Sequence, residues 1–462
     1  MSSLKRVLTL RTVISTSAGL TFSTACFVAA AQVASYLAGD AAWLAILVAG
    51  VLTLLSAAVF SELNGLFPSA AGLRLYMQKA FGEQVSLVIS LMYMLVITMV
   101  VGTETYVLGH VLNFAMPAVS PIFWVVIMLV VATAMNLRGV NIAGMFQDFF
   151  TYGLIAALLV FSVLAFSRTG FHVTAPLATN GAGGLFNAVA VGVFLFVGFE
   201  WVTPLAEEVT HDSLIPKGMF WAVGILAVVY GLFTTAMTAT VPAALRQTLL
   251  ASPVPHLIFA QAVLGKTGVW WLTLTSLAAS ITTFNAGLIT ISRFMYASAR
   301  EAVLPKWFSQ VNLRFATPQN AIVALFAVAL VVSAAVYFSG RYLTLVLMGS
   351  AMESLIYAAG AIAVLVLRRR YPDQARPFRI AGGPVIPIVT ALVFAVLALG
   401  VMLQNYWVPV LLAATALVIY LYVALVVPRL KATQAAERQT RSRRRPLAAV
   451  TSEAAATGAP AE

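Results

Sequence analysis

The stretch FNAVAVGVFLFVGFEWVTPLAEEVTHDSLIPKGMFWAVGI, residues 186–225, decides how the rest of the chain is read. It begins as an apolar helix, is loosened by Gly192 and Gly198, and then places Glu200, Pro204, Glu207 and Glu208 close together before turning at Pro216. A carboxylate such as Glu200 in mid-membrane costs about 2.5–3.5 kcal/mol on insertion scales, so it faces a cavity or a partner. Two readings stay open from these residues alone. In one, the glycines and the proline break the helix, and freed carbonyls and amides line a substrate site. In the other, the helix is merely kinked and Glu200 meets a hydroxyl on a neighbouring helix.

The surroundings of this stretch are those of a polytopic membrane protein. Of 462 residues, 61% are hydrophobic and only 9% charged, a composition foreign to soluble domains. No charge interrupts Arg11 to Asp40, Asp40 to Glu62, or Arg379 to Arg429; the last interval holds two spans broken near Gln404, Asn405 and Pro409. The single cysteine, Cys26, rules out an internal disulfide and reads as packing. No cleavable leader is read in Val13 to Leu37. The net charge of +12 does not indicate nucleic acid, because position decides its meaning. With twelve spans, every lysine and arginine except Arg168, Arg246, Lys266 and Arg341 falls on the side of the N-terminus. That asymmetry places both termini in the cytoplasm and the chain in the cytoplasmic (inner) membrane.

The expected spans are Val13–Leu37, Ala41–Leu66, Gln84–Leu112, Pro121–Leu137, Phe146–Phe166, the span opening at Phe186, Met219–Val241, Val269–Met295, Asn320–Phe338, Tyr342–Leu367 and two more. Span 1 contains SAGLTFSTACF, where Gly19, Ser23, Thr24 and Ala25 permit close packing or unwinding. The segment Pro242 to Gly268 is expected to hold a short interfacial helix; its Gly265, Lys266 and Thr267 lack the earlier glycine of a phosphate loop. Interrupted spans 1 and 6 lie five apart, which relates spans 1–5 to spans 6–10 by an axis in the membrane plane.

Four stretches carry a family resemblance: SAAVFSELNGLFPSAAGLRLYMQKAFG after span 2, FLFVGFEWVTPLAEEV with IPKG in span 6, SRFMYASAREAVLP after span 8, and RRRYPDQARPFRIAGGPVIP between spans 10 and 11. On these the chain resembles permeases of the amino acid, polyamine and organocation superfamily. The resemblance implies an all-α fold of 12 transmembrane helices, a LeuT-like 5+5 inverted repeat with discontinuous helices 1 and 6 and two trailing helices. The expected divisions are a cytoplasmic N-terminus (1–12), a first repeat (13–168), an external loop (169–185), an inverted second repeat (186–367), a cytoplasmic loop with helices 11 and 12 (368–427), and a basic, disordered tail (428–462). The resemblance places unwound helix 1 at Ser23, Thr24 and Ala25, and unwound helix 6 around Phe196, Val197 and Gly198. There a substrate carboxylate meets helix 1 amides and an amino group meets helix 6 carbonyls, as the helix-end charges favour. Phe194 matches a lid, and Glu200 a proton-sensitive gate. Two departures stand out. Helix 1 lacks the usual glycine-rich motif, which puts a standard α-amino acid clasp in doubt, and Gly153 and Leu154 replace a coupling lysine of some relatives.

Glu104 and Glu353 join Glu200 as acidic groups in the walls of that site and suggest a cationic cargo or neutral, protonated acids. Ser280, Thr282 and Thr283 are candidates for a sodium site with helix 1 carbonyls, or else bond their own helix. Glu62, Glu207, Glu208 and Glu301 read as ion pairs at cytoplasmic ends, near Lys217, Arg293 and Arg300. The four histidines show no metal spacing. The expectation is therefore a secondary transporter moving an amino acid or related amine by alternating access, with proton or sodium coupling, no cofactor and no catalytic residue. A polyamine or organic-amine carrier is the runner-up. An intramembrane enzyme and a channel are the readings from other classes. Oligomeric state is not legible.

Overall fold

Once water is excluded, long uncharged stretches satisfy their backbone within helices, and helices build this chain. The computed structural model describes residues 6, 8–69, 71–138, 140–169, 181–240, 248–249, 252–312, 314–315 and 317–436. Among the described residues no strand forms; isolated bridges join Leu8 to Val209 and Asn312 to Thr317.

Helices α1 (Leu10–Thr21) and α2 (Thr24–Gln32) form a pair bent by 57° at their junction. A π-helical turn (Val33–Leu37) and a 3-10 turn (Gly39–Ala41) lead to α3 (Ala42–Leu66) and the short α4 (Leu73–Phe81). Then come α5 (Glu83–Ala115), α6 (Pro121–Leu137) and α7 (Val140–Thr169). The second half begins with α8 (Gly181–Phe194), a 3-10 helix (Phe199–Glu207), α9 (Leu214–Thr240) and the long α10 (Pro255–Arg300). A 3-10 turn (Lys306–Ser309) precedes α11 (Gln319–Ser339), α12 (Tyr342–Arg370), α13 (Val385–Gln404) and α14 (Trp407–Leu425).

Ten helical segments among the described residues are long and apolar enough to cross a membrane; the bent pair would make eleven, and α6 is a shorter apolar helix. The chain is a multi-pass membrane protein. The helix expected in Pro242 to Gly268 starts at Pro255 and runs on through a kink into α10, because Gly265 takes a left-handed φ of 59° that other residues resist. Much of the 169–185 loop, Arg246 and the chain beyond 436 lie outside the described residues, as does the Glu207 side chain. Residues 427–436 are helical, tied by Lys431 to Glu83 and by Gln434 Nε2 to the Ala299 carbonyl at 3.2 Å.

Helix α1 sits at the centre, packed against α7, α9 and α10, while α3 lies on α8 and α9. Close approach depends on small residues. A Cβ added at Gly218, in IPKG, would come within 2.2 Å of Val13 Cγ1 and 3.4 Å of its carbonyl carbon. A Cβ at Gly19 would lie 2.4 Å from Thr151 Oγ1 on α7. The outer faces are apolar, with Val163, Leu392 and Val418 more than half exposed, as suits lipid.

Candidate substrate site at two helix breaks

The first break is at Phe22 and Ser23, both in extended backbone conformations. Ser23 caps α2, its Oγ accepting from the Cys26 amide at 3.3 Å, which leaves other first-turn amides of α2 without helical partners. Glu104 of α5 takes two of them. Its Oε1 accepts from Thr24 N at 2.7 Å and its Oε2 from Ala25 N at 3.0 Å. Ser280 Oγ of α10 donates to the same Oε1 at 2.5 Å, and Thr24 Oγ1 lies 2.8 Å from Ser280 Oγ and bonds the Ser276 carbonyl at 3.0 Å. Three segments distant in sequence thus converge on one fully buried carboxyl group. Of the expected unwound stretch Ser23, Thr24 and Ala25, only Ser23 is non-helical, together with Phe22; Thr24 and Ala25 open α2, and a side chain of the protein holds their amides. Glu104, expected in the wall of the site, lies in this knot.

The second break follows Phe194. Leu195, Phe196 and Val197 close successive tight turns onto Gly192, Val193 and Phe194, and Gly198 then adopts a φ of 111°, where a side chain would be strained. The chain resumes as a 3-10 helix that carries Glu200 and Pro204. Phe194, Phe196 and Val197 are buried, with Phe196 edge-on to Tyr230 of α9. The two breaks face one another. Gly198 lies against Leu20 and Thr21, Ser17 Oγ donates to the Phe199 carbonyl at 2.7 Å, and Tyr230 OH donates to the Thr21 carbonyl at 3.3 Å.

Glu200 and Glu353 form a second acidic centre. Glu200 accepts from Tyr357 OH at 2.7 Å and from Tyr93 OH at 3.3 Å, so the hydroxyl contact of the kinked-helix reading is present together with the break. Glu353 of α12 lies beside Glu200 and Tyr357, and neither of its buried oxygens makes a hydrogen bond of good geometry. Phe60, Phe199 and Trp201 wall the group. Neither carboxyl has an ion-pair partner among the described residues. Glu353 thus neighbours Glu200, whereas Glu104 is bonded at the first break.

Of the three hydroxyls considered for sodium, Thr282 bonds its own helix at the Ala279 carbonyl, Ser280 bonds Glu104, and Thr283 donates to the Phe22 carbonyl at 2.7 Å. Thr283 alone meets helix 1 carbonyls. Among the described residues no three His, Cys, Asp or Glu side chains gather to hold a metal.

The basic end of the bundle is cross-tied. Glu62, fully buried, takes a two-pronged bond from Arg368 (2.7 and 2.6 Å), lies 3.6 Å from Arg376, and accepts the Ile380 amide at 2.9 Å. Glu208 pairs with Arg293 at 2.9 Å, and Glu301 with Arg74. The pairing of Glu208 follows expectation, whereas the partners of Glu62 come from the arginine-rich segment rather than from Lys217, Arg293 or Arg300. Nearby Tyr76 donates nothing to these ties; burial pushes its phenol up, against a bond from Asn64. Residues the sequence did not single out include Tyr93, Tyr357, Ser17 and Tyr230. Tyrosines inside apolar runs were the available signal for the first two, because a buried phenol seeks a partner.

A bundle of apolar helices interrupted at two facing breaks defines a membrane transporter class. Residues 8–428 match the family described as "Amino acid permease". The chain belongs to this amino acid permease family, within the superfamily its motifs resemble. It is 26% identical over 394 residues to the methylthioribose transporter of Bacillus subtilis (strain 168), covering 81% of this chain and 83% of that protein. It is 25% identical over 370 residues to the large neutral amino acids transporter small subunit 2 of Rattus norvegicus, covering 76% and 67%. A further similarity, 27% over 253 residues, is to the branched-chain amino acid permease BcaP of Bacillus subtilis (strain 168), covering 53% and 52%.

Proposed function

We propose that this permease is a secondary transporter of the cytoplasmic membrane that moves an amino acid or related amine by alternating access, and that it is not an enzyme. The observation that carries the reading is the meeting of the two breaks, with Ser17 bonded to the Phe199 carbonyl and Gly198 against Leu20 and Thr21. Irregular backbone at membrane depth is tolerated where it is covered or lines a cavity, and half-helix ends there suit charged cargo. In this reading spans 1–5 and 6–10 are inverted repeats, spans 1, 2, 6 and 7 rock against 3, 4, 8 and 9, and Phe194 closes over the cargo. Both termini are cytoplasmic, supported by where the lysines and arginines lie.

Coupling is assigned to the Glu200 and Glu353 pair. Adjacent carboxylates without a cation repel strongly at low dielectric, so a proton or a cationic group shared between them relieves the pair. Loss or gain of that charge would shift the 3-10 helix against α5 and α12. Sodium is left to Thr283 with the Gly19 and Phe22 carbonyls, a set far short of a cation's usual six or more oxygens.

Counterflow tests the proposal. Proteoliposomes preloaded with unlabelled amino acids or amines should accumulate the labelled counterpart; linear, non-saturating flux without counterflow would identify a channel. Product formation by the detergent-solubilised protein would identify an enzyme.

A further inference from the structure

We propose that Glu104 is a built-in occupant of the carboxylate cradle and thereby a specificity determinant: the cargo of this permease carries no carboxylate at that position. This deepens the transport reading and rests on it. Free amides at a helix N-terminus, beside a hydroxyl, make a receptor for a carboxylate. Here the receptor comprises Thr24 N, Ala25 N and Ser280 Oγ, and both oxygens of Glu104 are already seated on it at 2.5–3.0 Å. A second carboxylate in the same place would lose those donors to Glu104 and meet its charge at close range, in a medium where repulsion is poorly screened.

The occupant is also held in place. Ser280 Oγ spends its one proton on Glu104 and Thr24 Oγ1, 2.8 Å from it, spends its own on the Ser276 carbonyl, so every donor of the knot across α2, α5 and α10 is committed. Neutral ends of a cargo remain compatible with it. A positive end is favoured, because the remaining acidic centre, Glu200 with Glu353, has no paired cation among the described residues. The cargo class that fits is an amine, or another amino acid derivative whose carboxylate is absent or masked.

Matched pairs provide the test. Proteoliposome counterflow and thermal stabilisation of the purified protein are measured with amino acids and with their decarboxylated amines and carboxamides. The wild type should accept the carboxylate-free member of a pair and discriminate against the acid by about tenfold or more, the worth of one or two charge-assisted bonds. Glu104→Ala should reverse the preference by freeing the cradle, and Glu104→Gln, which keeps an acceptor for one amide, should fall between. Folding of each variant is checked by its monodisperse elution and by a cooperative thermal transition without cargo. Counterflow of free amino acids by the wild type, with amines and carboxamides inert, would overturn the inference and leave the transporter reading standing. Counterflow of neither class by folded wild type would overturn the transporter reading itself.

Discussion

Replacing Arg368 with alanine should loosen the basic end of the bundle more than any other single ion-pair change there. The side chain is 11% exposed and Glu62 is not exposed at all, so the pair is shielded from the solvent that weakens surface bridges. Arg368→Ala removes a two-pronged bond of 2.7 and 2.6 Å and leaves Glu62 with the Ile380 amide and a more distant Arg376. Breaking a buried pair on one side costs about 3–5 kcal/mol. With unfolding entropy scaled to 462 residues, each kcal/mol is roughly one degree, so the melting temperature should fall by roughly 3–5 °C. Fluorescence-detected size exclusion after heating in detergent reads this directly. Glu62→Ala combined with Arg368→Ala should cost clearly less than the two single changes added, since the orphaned charge is gone. A neutral Arg368→Ala, or strict additivity in the double variant, would refute the argument.

Gly218→Ala should destabilise by about 1–3 kcal/mol, because the new methyl meets the Val13 side chain and approaches its backbone; a normal melting temperature would show that α1 and α9 separate more freely than the packing implies. Glu200→Gln should flatten the pH dependence of counterflow while the protein still folds, because it removes one titratable member from a centre shared with Glu353, Tyr93 and Tyr357. An unaltered pH profile would take the coupling role away from Glu200.

The apolar helices were legible from the length of their runs, and the glycine, proline and lone glutamate of residues 192–204 marked the second break; the family resemblance put the first break at Ser23, Thr24 and Ala25, whereas the chain leaves the helix at Phe22 and Ser23. The pairing of the glutamates was not. Glu104 was read as an acidic group in the wall of the site, and its partners were not legible because Thr24, Ala25 and Ser280 arrive from far along the chain. Glu62 was read correctly as an ion-paired residue, yet its partners belong to the RRRYPDQARPFRI segment, joined to it only by the fold. The long α10 was read as a short helix and a span, because a glycine kink and a helix boundary look alike in a sequence.

Many buried hydroxyls in this bundle bond a carbonyl one turn back in their own helix, as Thr53, Thr98, Thr234, Thr275 and Thr290 do. Such helices are already satisfied when they first enter lipid during synthesis. Glu104 differs: the two amides that receive it are made before it, whereas Ser280 emerges much later. The knot at the first break therefore closes in stages set by the order of translation, and Glu104 of α5 can meet its donor amides on α2 long before the second half of the protein exists.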